Sequence, residues 1–155
     1  MIKIQKPRNL FDHLMIKIQK QDFDLEREIS EITFKHTNVG AVSTFIGYVR
    51  GLNNQQKVTS INLEVYKDMA YKSLEDICAK AQEKWDIIDV LIIHRFGKLN
   101  VKEKIVLVAI FSMHRKESFD ACNFIMDYLK KDAPFWKKEF YNDNYKWLEN
   151  TRLTN

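Results

Sequence analysis

Between Lys104 and Met113 the chain reads Lys-Ile-Val-Leu-Val-Ala-Ile-Phe-Ser-Met, almost without a polar break. Alternating polarity would bury one face of a strand. A continuous apolar run of this length predicts a strand covered on both faces. Asp89 to His94 is a second, shorter apolar strand. Val39 to Val49 is rich in β-branched and aromatic residues and predicts a strand. Its glycines, Gly40 and Gly47, mark bends or the close approach of another backbone. Thr59 to Tyr66 alternates Ile61, Leu63 and Val65 with Asn62 and Glu64, the pattern of a half-buried strand.

Helical periodicity fills the gaps between these strands. Asp68 is placed to cap a helix reaching about Trp85, with Ala70, Leu74, Ile77, Cys78, Ala81 and Trp85 on one face. A second helix runs from about Glu117 to Lys131, striped by Ala121, Cys122, Ile125, Met126 and Leu129, and Pro134 stops it. Asp22 to Ile32 forms a short helix. Gly51 to Lys57 is polar and reads as a mobile loop. Phe135 to Asn155 is polar and aromatic and receives no assignment. Strands and helices mingle in one α+β domain.

The chain has 155 residues, which suits a single core. The net charge is +4 and the pI about 9.0. That permits an anionic ligand but does not by itself indicate nucleic acid. The hexapeptide Met1-Ile2-Lys3-Ile4-Gln5-Lys6 recurs from Met15 to Lys20. A single recurrence makes no solenoid, so residues 1–14 read as an N-terminal extension and 15–155 as one domain. No apolar stretch approaches membrane-spanning length, and the N-terminus lacks the pattern of a secretory signal. Two cysteines make no disulfide framework. The expectation is a cytoplasmic protein.

Several chemistries lack their residues. There is no glycine-rich phosphate loop. The four histidines are scattered, without the spacing of a zinc site. Cys78 and Cys122 lie on apolar helical stripes and read as packing residues. The dense polar segment is Lys130-Lys131-Asp132-Ala133-Pro134-Phe135-Trp136-Lys137-Lys138-Glu139. Lys130 in a last helical turn complements the helix dipole, and Lys137 and Lys138 can form a solvated face. The alternative is that Phe135 and Trp136 shield a lysine from water while like charges favour its neutral form. Arg50 ends one strand, and His114-Arg115 ends another just before a helix, where anions often bind. Each of these also reads as a surface or capping residue. His94-Arg95, before Gly97, reads equally as a turn with structural pairing.

Together the segments Gly40-Ala41-Val42, Gly47-Tyr48-Val49-Arg50, Leu63-Glu64-Val65-Tyr66, His94-Arg95-Phe96-Gly97, Ser112-Met113-His114-Arg115, Asp127-Tyr128-Leu129-Lys130 and Ala133 to Glu139 resemble, in order, the large catalytic subunit of molybdopterin synthase, the MoaE family. The resemblance spans about Gly40 to Glu139. It implies an α/β-hammerhead-type α+β fold, with a mixed or antiparallel sheet and packed helices. It implies a sulfurtransferase that converts cyclic pyranopterin monophosphate to molybdopterin. The sulfur would come from the C-terminal thiocarboxylate of a small ubiquitin-like carrier, with no cofactor and no metal. It also implies a homodimer of this chain within a heterotetramer. Carried over by position, Lys130 and Lys137 match the family's essential lysines. Tyr48, Val49, Arg50, His114, Arg115, Lys138 and Glu139 match substrate-pocket positions. Two other classes remain open. A basic nucleic-acid-binding module would show salt-sensitive affinity, and a non-catalytic docking scaffold would tolerate loss of Lys130 and Lys137.

Overall fold

The computed structural model describes residues 14–148. Its main sheet contains β1 (Leu14–Gln19), β2 (Ala41–Tyr48), β6 (Asp89–Arg95) and β8 (Lys104–Ser112), in the order β1-β6-β8-β2. β1 pairs with β6 in parallel, and the other two pairings are antiparallel. The second copy of the hexapeptide is thus a strand, while the first lies outside the described residues.

The apolar run at Lys104 is β8, and it is buried on both faces as expected. Every residue of β6 is buried, as is β8 from Val106 to Ser112. Successive side chains of a strand point to opposite faces. Val90, Ile92, Val106, Val108 and Ile110 meet the helices α2 (Lys67–Lys84) and α3 (Arg115–Lys131). Leu91, Ile93, Leu107, Ala109 and Phe111 meet Phe23 and the helix α1 (Leu25–Thr33) on the opposite side. Asp24 caps α1, its side chain accepting from Arg27 N at 3.0 Å.

A second sheet, wholly antiparallel, runs β10-β9-β5-β7. Its strands are β5 (Ser60–Val65), β7 (Gly97–Asn100), β9 (Phe135–Phe140) and β10 (Tyr145–Leu148). Val49, Val58, Ile61, Leu63 and Leu99 form its own core.

The α+β expectation holds, with differences at several elements. Gly51–Lys57 is not a loop but a hairpin of β3 (Leu52–Asn53) and β4 (Gln56–Lys57). Both turn residues, Asn54 and Gln55, have positive φ, of 47° and 65°, the conformation that lets a two-residue turn match strand twist. Asp68 does not cap α2. Tyr66 holds the cap position without a side-chain bond, and Asp68 lies in the first turn, where its charge suits the dipole. α3 begins at Arg115, two residues before the expected start. Within the unassigned stretch after Pro134, β9 and β10 form.

Gly40 meets another backbone, as its sequence position suggests. Its N–H donates to Ser112 O at 3.0 Å, and a Cβ there would overlap the Met113 carbonyl oxygen. Gly40→Ala must therefore push β2 away from the end of β8. The expected cost is about 1–3 kcal/mol, as for other overpacked sites, read as a lower midpoint in urea or thermal unfolding. An unchanged midpoint would show that the strands meet less closely than described.

Candidate active site

β2 and β8 pair in register from Ala41↔Ser112 to Gly47↔Val106, after which Tyr48 faces Lys104 and Ile105 is skipped. Such a bulge bends a strand and re-aims the residues beyond it. Here those residues are Tyr48, Val49 and Arg50. On the far side of the cavity beyond them, α3 ends at Lys131, and Ala133-Pro134 turns the chain into β9. Lys130 and Lys137 flank that turn.

The result is a cavity of about 470 Å³ bounded by Arg50, Asn53, His94, Lys130, Phe135, Lys137 and Glu139 among apolar side chains. Phe45, Ile105, Val106, Met126 and Leu129 supply much of that apolar wall. Arg50 and Lys130 are exposed and Lys137 is half-buried. On β9, alternation sends Phe135, Lys137 and Glu139 inward. Glu139 is 5% exposed, and its Oε2 accepts from Asn53 Nδ2 at 3.0 Å and Tyr141 OH at 2.7 Å. Those bonds fasten the β3–β4 hairpin to the cavity wall.

The electrostatics arise from this convergence. Burial holds the Lys137 ammonium below its ordinary value of 10.5, and the charges of Arg50 and Lys130 act the same way, opposed by Glu139. His94 is buried and its pKa is pushed down to about 4, first by desolvation and also by Lys137, against its hydrogen bond to Arg95 O. The pocket thus gathers cations while keeping its histidine neutral.

The other sequence candidates are placed elsewhere. Lys138 points to the opposite face of β9, its Nζ 3.7 Å from the centroid of the Tyr145 ring and 5.3 Å from that of Trp147. Tyr48 is exposed, and it borders a smaller niche with Val49, Arg50, Lys137 and Glu139. Val49 is 3% exposed, and its backbone is committed, N–H to Glu103 O at 2.9 Å and carbonyl to Lys102 N at 2.9 Å. His114 and Arg115 are exposed at the other end of the β2–β8 pair, in an open depression with Gly40, Ala41, Met113 and Lys116. Within one chain they do not join Arg50. The two ends lie apart by the length of β2, roughly 25 Å at strand rise.

Sequence reasoning missed His94 as a cavity residue, and Asn53 with it. Arg95 is structural, as expected of a pairing residue. It is buried and donates to Lys20 O at 3.0 Å, Lys104 O at 2.9 Å and Glu103 Oε1 at 3.4 Å. The usable signal for His94 was parity, since it shares a strand face with Val90 and Ile92. Both cysteines are buried, which raises the Cys78 thiol to about 12 and Cys122 to about 11. Neither is a thiolate near neutrality. Among the described residues no three His, Cys, Asp or Glu side chains gather as a metal site, and no helix is long and apolar enough to cross a membrane.

The family described as "MoaE protein" matches residues 18–132. The molybdopterin synthase catalytic subunit of Ralstonia nicotianae is 48% identical over 134 residues, covering 86% of this chain and 76% of the relative. The solved structure of the molybdopterin biosynthesis MoaE protein from Burkholderia ambifaria MC40-6 superposes with a TM-score of 0.79 at 41% identity, over 92% of this chain and 93% of that one. The crystal structure of molybdopterin synthase from Staphylococcus aureus gives a TM-score of 0.80 at 33% identity, over 86% of this chain and 96% of the other.

The lowered pKa of His94 makes stability depend on pH. Between about 4 and its ordinary value of 6.5, the unfolded chain binds more protons at this residue than the folded one. His94 therefore leaves stability intact above the upper value and subtracts from it as pH falls toward the lower one. Urea unfolding of wild type and His94→Phe across this window should show a shallower acid loss in the variant. Parallel curves would place the imidazole in solvent.

Proposed function

This chain belongs to the MoaE protein family, and on that premise we propose that the cavity between α3 and β9 is where its sulfur transfer takes place. The chain is a molybdopterin synthase catalytic subunit by family. Its reaction is the conversion of cyclic pyranopterin monophosphate to molybdopterin with sulfur from a carrier thiocarboxylate. The observation that carries the site assignment is the convergence of Arg50, Lys130 and Lys137 on one cavity. Both partners of the reaction, a phosphate ester and a thiocarboxylate, arrive as anions, and fixed cations in a partly dry cavity stabilise them and the charge that develops between them.

The two lysines differ in setting, and we assign their roles accordingly. Lys130 is exposed at the rim, where it neutralises the incoming thiocarboxylate of the small carrier subunit. Lys137 lies deeper with a lowered pKa, so its amine is the better group for moving a proton during sulfur attack. Arg50 forks onto the substrate phosphate. Glu139, tied to Asn53 and Tyr141, keeps Lys137 from being expelled by the other cations.

His114 and Arg115 join this site across a homodimer. β2 is an edge strand that pairs only with β8 among the described residues. Phe45, Met113 and Phe119, all exposed, lie close to that edge. Pairing two β2 edges antiparallel about a two-fold axis sets the Ala41 end of one beside the Tyr48 end of the other. His114 and Arg115 of one protomer then approach Arg50 of its partner. On this reading each cavity is built by two protomers, and each dimer carries two carriers.

Incubation with thiocarboxylated carrier and cyclic pyranopterin monophosphate should yield the dithiolene product. Lys130→Ala or Lys137→Ala should abolish it, while carrier affinity stays near wild type. Full activity in either variant would reject its assignment, and activity in both would favour a docking scaffold. Mixing Lys137→Ala with Arg115→Ala protein and allowing subunit exchange should restore about a quarter of wild-type activity, because half the dimers are mixed and each keeps one intact site. No recovery after verified exchange would place both residues in one protomer's site.

A further inference from the structure

The cations of the cavity account for the anionic ends of the reactants, but not for the heterocycle between them. A pterin ring also carries N–H donors, and the charged Arg50, Lys130 and Lys137 side chains offer it no acceptor. Glu139 Oε2 is already engaged by Asn53 and Tyr141.

His94 supplies a neutral ring acceptor in a fixed orientation. It sits near the end of β6, on the face it shares with Val90 and Ile92, and lines the cavity beside Lys137. Its Nδ1 lies 2.9 Å from Arg95 O. A carbonyl only accepts, so Nδ1 carries the proton and Nε2 holds the bare lone pair. Arg95 cannot easily release that carbonyl, because its own guanidinium is held by Lys20, Lys104 and Glu103. The ring plane is set as well, stacked on Phe135 at 3.7 Å between centroids and 15° between planes. Phe135 precedes Lys137 by two residues on the same face of β9, so the imidazole is placed in register with that lysine. The residue is 8% exposed, and among the described residues Nε2 makes no hydrogen bond. Burial, and then the Lys137 charge, disfavour its protonation, so the acceptor persists at neutral pH.

We propose that His94 is a substrate-binding residue whose Nε2 accepts a hydrogen bond from a ring N–H of the pterin, making the cavity selective for that heterocycle over other phosphate esters. The proposal deepens the sulfur-transfer reading and rests on it. A site built to pair a ligand N–H leaves a buried acceptor unpaired when an analogue lacks that donor, and discriminates accordingly.

The test compares His94→Phe, which keeps the stack on Phe135 but has no acceptor, with His94→Gln, which restores one. In the assembled complex with thiocarboxylated carrier, His94→Phe should raise KM for cyclic pyranopterin monophosphate on the order of tenfold to a hundredfold, the effect of one lost hydrogen bond at a buried polar partner. The rate at saturating substrate and the affinity for carrier should change little. His94→Gln should recover most of the loss in KM. A KM within about twofold of wild type in His94→Phe, or a loss confined to the saturated rate, overturns the proposal. If His94→Phe does not fold, 15N NMR of the wild-type protein decides. Cyclic pyranopterin monophosphate alone should shift the His94 Nε2 resonance and leave Nδ1 protonated, and an unmoved Nε2 refutes the contact. Wild-type protein that forms no dithiolene with carrier and substrate would instead defeat the sulfur-transfer reading, a separate result from an unmoved Nε2.

Discussion

The whole architecture depends on burying β6 and β8 from both sides. Neither strand has a face that tolerates water, so helices must cover the sheet twice, α2 and α3 on one side and α1 on the other. Apolar burial of this kind is the dominant favourable term in folding. It also decides where chemistry is allowed. Polar side chains are pushed to the strand ends and to the turns beyond them. Arg50 beyond the bulge, His94 at the end of β6 and Lys130 at the end of α3 are all found at such boundaries.

Cations crowded into one cavity repel each other, and the fold meets that repulsion in three ways. Glu139 is held with its side-chain oxygens inward by Asn53 and Tyr141. Lys137 loses part of its hold on its proton. His94 stays neutral, locked in one tautomer by the Arg95 carbonyl. Anionic reactants would relieve the remaining strain, which ties binding to the charge distribution that the chemistry needs.

The strands were legible where burial dictates composition and illegible where function does. β8, β6, β2 and β5 announced themselves through apolar content or alternation. β9 did not, because its inward positions beyond Phe135 are Lys137 and Glu139, and those charges erase the alternation that marks a strand. Local rules fail at functional sites for this reason. The hairpin 52–57 hid in a polar segment whose turn uses Asn54 and Gln55 instead of glycine. The candidate site residues divide in the same way. Arg50, Lys130, Lys137 and Glu139 share one cavity, whereas Lys138 turns away and His114 and Arg115 stand at the far end of β2.

Residue order alone established an α+β chain with a doubly buried strand, two amphipathic helices, the second stopped by proline, unreactive cysteines, and a lysine pair on either side of a bend. Those properties are local, set by side-chain chemistry and spacing of a few residues. Three-dimensional packing alone chose which lysine of the Lys137-Lys138 pair faces inward, seated His94 beside it, and parted Arg50 from His114. Strand register governs these outcomes. It depends on partners far off in sequence, and a slip of one position would turn every side chain of β9 to the other face.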